Sequence, residues 1–147
     1  MKRMHIHVGI EQLDQGIRFY TTLFGVPPVK IRADYAKWML EDPRINFAIS
    51  TRAGTKGVDH LGLQVDEDDE LGELRHRLKS AGMSLFDEGE TVCCYARSDK
   101  SWVQDPAGIA WEAYRTMEDV QVFSSGKPVG GEACCMPSED AQECCVS

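Results

Sequence analysis

Apolar and polar positions along the 147-residue chain fall into one order of elements that occurs twice. Alternation over residues 4–10 predicts a strand. A helical rhythm over 13–24, stopped by Gly25 and then by Pro27 and Pro28, predicts a helix. Three short extended runs follow at 29–33, 36–40 and 45–50, separated by the turn former Asp34 and by Asp42-Pro43. The second half yields a strand at 59–65, a helix at 69–81 ended by Gly82, and extended runs at 84–86, 101–104 and 109–114.

Laying residues 60–65 (HLGLQV) on residues 5–10 (HIHVGI) pairs apolar positions with apolar ones, and both segments lead into an acidic residue and a helix. Repetition at half-chain length predicts an α+β chain of two βαβββ modules, 3–52 and 57–116. Each module has an apolar sheet face that it cannot bury alone, so the two should pack or join sheets around a shared cavity. After Tyr114 the periodicity fades, and residues 124–131 (SSGKPVGG) have linker composition. The expectation is one domain over 1–120 and a flexible, cysteine-containing tail over 121–147.

Composition narrows the function classes. A net charge of -8 with no Lys/Arg run argues against nucleic acid and against an anionic membrane surface, since each needs a basic face. The basic N-terminus lacks an apolar h-region, and no apolar stretch is long enough to span a bilayer, so a cytoplasmic protein is expected, as a monomer or homodimer. In that reducing setting the six cysteines should be thiols and candidate ligands.

His5 and His60 occupy equivalent points on the first strand of each half, so a pseudo-twofold would bring two imidazoles together in the cavity. Glu112, in 109–114 (IAWEAY), corresponds to Ala48 in 45–50 (INFAIS), which cannot ligate. Two histidines and one carboxylate form the facial set that suits iron(II) and leaves positions open, although zinc, nickel or cobalt could occupy the same donors. His7, on the same face as His5, reads as a supporting or wall residue. His76, among Arg75, Arg77 and Lys79 on a helix, reads as part of a solvated face.

The cysteines fall in three adjacent pairs, Cys93-Cys94, Cys134-Cys135 and Cys144-Cys145. A disulfide between neighbours closes a strained small ring, and zinc sites favour a two-residue spacer, so adjacency suits neither. Two adjacent thiolates can instead grip one soft, thiophilic centre such as trivalent arsenic, cadmium or mercury. Cys93-Cys94 lies between strands of the second half and could reach the cavity mouth; buried packing is the alternative role.

The paired modules, the helix end at 19–25 (FYTTLFG) and the turn at 105–108 (DPAG) before Glu112 resemble the glyoxalase, bleomycin-resistance and extradiol dioxygenase superfamily, whose fold is the vicinal-oxygen-chelate fold. The likeness covers about residues 3–116 and selects His5 over His7 as first ligand, by its distance from Phe19 and Tyr20. Within that superfamily, 91–96 (TVCCYA), 99–103 (DKSWV) and Trp111-Glu112 look like the organoarsenical carbon-arsenic lyases and their cadmium-induced relatives. The resemblance implies an iron(II) enzyme that uses dioxygen to release arsenite from trivalent methyl or aromatic arsenicals. His5, His60 and Glu112 would hold the metal, and Cys93 and Cys94 the arsenic. His5 departs from several of these lyases, which carry Gln there. A non-enzymatic metal or metalloid sequestration protein is the competing expectation, built on the thiol pairs. A glyoxalase-type enzyme with nickel, manganese or zinc would share the fold but give Cys93-Cys94 no purpose.

Overall fold

The computed structural model describes residues 1–54, 56–93 and 95–119. In chain order the elements are β1 (Arg3–Gly9), α1 (Leu13–Phe24), β2 (Lys30–Arg32), β3 (Tyr35–Glu41), β4 (Arg44–Ser50), β5 (Gly57–Val65), α2 (Asp68–Ser80), β6 (Phe86–Cys93), β7 (Ala96–Gln104) and β8 (Ala110–Asp119). The βαβββ order therefore occurs twice. Gly25 ends α1 in the left-handed conformation, φ 72°, with its N–H donating to the Thr21 carbonyl at 2.9 Å.

The eight strands form one sheet in the order β2-β3-β4-β1-β5-β8-β7-β6. Each module places its first strand parallel to its last, β1 beside β4 and β5 beside β8, and the antiparallel β1–β5 pair joins the modules. The register is symmetric: His5 faces Gly62 and His7 faces His60 across that junction. His7 pairs with Ala48 as Gly62 pairs with Glu112, so Ala48 and Glu112 are structural equivalents.

Strand alternation sorts the two faces. On one side Ile6, Val8, Ala36, Trp38, Phe47 and Ile49 pack under Leu13, Ile17, Tyr20 and Phe24 of α1. Leu63, Val65 and Ala113 likewise pack with Leu71 and Leu74 of α2. The other side is buried but polar, carrying His5, His7, Asn46, Ser50, His60, Lys100 and Glu112. It is buried because the sheet curls on itself. β2 and β6 are opposite edges, yet the Tyr35 and Tyr95 rings are 5.6 Å apart and Lys30 Nζ donates to the Tyr95 carbonyl at 3.0 Å.

One expectation needs correction. The run expected at 84–86 meets β6 only at Phe86, and that at 101–104 is the end of the longer β7; β6 and β7 form a hairpin. Apolar alternation is weak there because Asp87, Asp99 and Ser101 bond Lys79 and Arg75 of α2 while Cys93, Ser98 and Lys100 line the cavity. The expected tail, 121–147 with Cys134, Cys135, Cys144 and Cys145, lies outside the described residues. Among the described residues, no helix is long and apolar enough to cross a membrane.

Candidate metal centre

Three strands deliver three donor atoms to the concave face: His5 from β1, His60 from β5 and Glu112 from β8. His5 Nε2 lies 3.2 Å from His60 Nε2 and 3.3 Å from Glu112 Oε1, and His60 Nε2 lies 3.6 Å from Glu112 Oε1. These separations define a circle of radius about 2 Å, close to the ~2.1 Å at which nitrogen and oxygen ligands bind a first-row divalent metal. An ion could contact all three donors with little movement.

The hydrogen bonds behind the donors fit that use. His5 Nδ1 donates to the Asn46 carbonyl at 3.0 Å, and His60 Nδ1 donates to Asp59 Oδ2 at 2.7 Å. Each bond fixes a tautomer and leaves the Nε2 lone pair facing its neighbours. Burial lowers the His5 pKa to about 4, so its imidazole is neutral at pH 7 and can ligate. Burial also opposes charge on His60, but the Asp59 and Glu112 carboxylates outweigh it and raise its pKa. Glu112 is buried too, yet Lys100 and the two imidazoles hold its carboxyl well below the usual range.

Lys100 settles how Glu112 is presented. Its ammonium donates to Oε2 at 3.1 Å and sits 5.8 Å from the Trp102 ring centre and 5.6 Å from that of Tyr114. One carboxylate oxygen thus faces the histidines while the other is engaged. Gly62 provides the space: a Cβ there would lie 2.7 Å from Glu112 Cγ and 2.7 Å from its carbonyl oxygen.

His7 sits behind this group. Its Nε2 is 3.0 Å from Ser50 Oγ and its Nδ1 is 3.5 Å from Asp59 Oδ2, so Asp59 is shared between His7 and His60. Burial, with His60 nearby, holds the His7 pKa well below its ordinary value. His76 lies exposed on α2, within reach of Ser80 Oγ. Asp59, Ser50 and Asn46 were not singled out from sequence, nor was Lys100 as a partner of Glu112. The Asp59-His60 dipeptide was the one available signal, an acid next to a candidate ligand.

A cavity of about 30 Å³ opens over the donors, lined by His5, Glu112, Lys100, Tyr114, Asn46 and Cys93 among others. Cys93 ends β6, is 6% exposed, and so shares this space with the donor group. Cys94 lies outside the described residues. Contrary to the expectation of free thiols, Cys93 is disulfide-bonded. Binding of a soft centre at this position would require reduction first.

Residues 3–113 match the Glyoxalase/Bleomycin resistance protein/Dioxygenase superfamily. A trivalent organoarsenical cleaving enzyme of Bacillus sp. (strain MD1) is 39% identical over 150 residues, spanning 99% of this chain and 91% of its own. The cadmium-induced protein CadI of Mycobacterium tuberculosis (strain ATCC 25618 / H37Rv) is 34% identical over 127 residues, 86% of this chain and 84% of that one. In fold the chain resembles the Mn(II)-bound glyoxalase from Novosphingobium aromaticivorans, with a TM-score of 0.57 at 18% identity over 88% of this chain and 45% of that one. With two βαβββ modules joined in one curled sheet around a His/Glu group able to hold a metal, the chain belongs to the Glyoxalase/Bleomycin resistance protein/Dioxygenase superfamily, and its relatives include trivalent organoarsenical cleaving enzymes.

Proposed function

We propose that this protein is an iron(II)- and dioxygen-dependent enzyme that cleaves the carbon-arsenic bond of trivalent organoarsenicals, such as methylarsonous acid or aromatic arsenicals, and releases arsenite. The observation that carries this reading is the meeting of two chemistries in one cavity, the His5–His60–Glu112 donor group and Cys93. The relatives named trivalent organoarsenical cleaving enzyme support it.

In this reading His5 Nε2, His60 Nε2 and Glu112 Oε1 would hold the metal, and the bonds to the Asn46 carbonyl and Asp59 keep both imidazoles oriented with Nε2 toward it. Iron(II), when bound, would supply the redox chemistry with dioxygen that no side chain can perform. Lys100 engages Glu112 Oε2 and so favours ligation through one oxygen, which keeps other positions open. Cys93 and Cys94, reduced, displace the two hydroxyls of methylarsonous acid: two As–S bonds form and two waters leave. The methyl group remains the third substituent on arsenic, close to the donors, and this positioning is the chain's own contribution to rate. The residues in these roles all precede residue 126, so removal of 126–147 should leave turnover intact.

The test is arsenic speciation after incubating reduced, iron(II)-loaded protein with methylarsonous acid, with and without oxygen. Arsenite that needs both iron and oxygen and disappears in His60→Ala is the expected result. Turnover without iron would overturn the reading. The relatives named cadmium-induced protein favour one other function, sequestration of a soft metal or metalloid by the thiol pairs. That alternative predicts bound, unaltered methylarsenic and indifference to His60→Ala.

A further inference from the structure

Cys93 at the end of β6 pairs with Ala96 at the start of β7, so the hairpin closes tightly between them. Tyr95 takes φ 61°, and among the described residues it is the one non-glycine with a positive φ. Tight hairpins favour glycine or asparagine at such positions, and a bulky residue is held there only when its surroundings over-determine it. Those surroundings belong to the other module. Tyr95 Oη donates to the Asp34 carboxylate in the β2–β3 turn, its ring lies 5.6 Å from the Tyr35 ring and 5.5 Å from the Arg32 guanidinium, and its carbonyl accepts from Lys30 Nζ at 3.0 Å. Burial and Asp34 push the phenol pKa to about 12, so the hydroxyl stays a donor. Asp34 is itself tied to Arg52.

No β-ladder demands this contact, since β2 and β6 are opposite edges of the sheet. It ties the end of the hairpin, beside Cys93, to the far wall of the cavity. We propose that Tyr95 is a positioning residue: its latch to Asp34 across the mouth holds the thiol-bearing hairpin over the His5–His60–Glu112 group, so that arsenic bound by the thiols faces those donors. The inference rests on the proposed function. It assigns to Tyr95 the alignment of arsenic with the donors, separate from the binding of either.

Cobalt(II) in place of iron gives a readout independent of turnover. Reduced, cobalt-loaded full-length wild type, Tyr95→Phe and Tyr95→Gly are each titrated with methylarsonous acid while the cobalt spectrum and the bound arsenic are followed. Wild type should bind one arsenic and change its cobalt spectrum. Tyr95→Gly relaxes the turn but lacks the latch; it should still bind arsenic with the spectral change reduced severalfold. Tyr95→Phe keeps the ring and should fall between, serving alone if the glycine variant does not fold. With iron, kcat should fall by roughly 10- to 100-fold in Tyr95→Gly while KM changes little, as expected when bound groups are misaligned by an ångström or so. Spectral changes equal to wild type in both variants would overturn the latch and leave the lyase reading standing. Failure of reduced wild type to bind arsenic would instead remove the reading beneath it.

Discussion

The two modules share one topology and hold it by different means. In the first, α1 lies on its strands through a cluster of aromatic rings: Tyr20 is 4.4 Å from Phe47, and Phe24 is 5.1 Å from Phe47 and 6.0 Å from Trp38. In the second, α2 buries Leu71 and Leu74 without an aromatic cluster, and polar contacts do much of the holding. Arg75 bonds Asp99 at 2.7 and 3.0 Å and Ser101 at 2.6 Å, and Glu70 receives the backbone N–H groups of Asp66 and Glu67. The second module is also the one that brings Glu112, Lys100 and Cys93 to the cavity, where the first brings Ala48 at the position equivalent to Glu112. A repeated fold therefore need not repeat its energetics: the densely packed half fixes the sheet, and the half fastened by charge carries most of the site.

The largest expected effect tests that division at its equivalent pair. Glu112→Ala should remove metal binding and lower arsenite release by more than ~100-fold, beyond the usual 10- to 100-fold cost of losing a supporting group. Ala48→Glu should not restore it in a Glu112→Ala background, because the ladder partner of position 48 is His7, whereas Glu112 is paired with Gly62, which leaves it room. Metal content and arsenic speciation decide the matter. Restoration by Ala48→Glu would make the modules interchangeable and break the comparison.

Next is the packing difference. Trp38→Ala should destabilise the metal-free protein by about 3–5 kcal/mol, as for other fully buried large aromatics, and Leu74→Ala by about 2–3 kcal/mol, near the low end for leucine, because α2 has few apolar neighbours. Urea unfolding of both variants gives the order. A larger loss at Leu74 would place the rigid half of the molecule in the second module.

A smaller effect separates site from scaffold within the second module. Gly62→Ala puts a Cβ against Glu112 and should weaken metal affinity roughly 10- to 100-fold, the range for disturbed support of a ligand. Gly72→Ala, on α2 with nothing within 4 Å of the added atom, should instead stabilise the fold by up to about 1 kcal/mol. Equal metal affinity in the two variants would mean that Glu112 has room the structure does not give it.

The outcome at these positions also marks how far the sequence could be read. The repeat was legible because apolar residues alternate in β1 and β5 and because glycine ends each helical rhythm. From it followed the approach of His5 to His60 and the equivalence of Ala48 and Glu112, both of which depend only on strand register. The β6–β7 hairpin was not legible, since its residues face solvent and cavity and carry only a weak apolar period. Lys100 and Asn46 were hidden for a related reason. Their partners, Glu112 on the paired strand β8 and Gln64 and Tyr114 in the other module, become neighbours only through the pairing and arrangement of strands far apart in sequence. Nothing local to positions 93–96 announces that Tyr95 contacts Asp34, 61 residues away.

The smallest expected effect concerns how the helices begin. α1 starts after Gln12, whose side chain makes no cap to the helix and instead accepts from Gln15 at 2.6 Å. Gln12→Ser should supply a hydroxyl acceptor for the free N–H groups of the first turn and stabilise the protein by about 0.5–1 kcal/mol. That corresponds to roughly 1–4 °C in Tm for a chain of this size. Glu67→Ser at the start of α2 should gain nothing, because Glu67 and Glu70 already form a reciprocal capping box there. Thermal unfolding of the two single variants and the double variant separates the cases. A gain at Glu67 equal to that at Gln12 would show the polar fastening of α2 to be incomplete, and the contrast between the modules would then rest on the aromatic cluster alone.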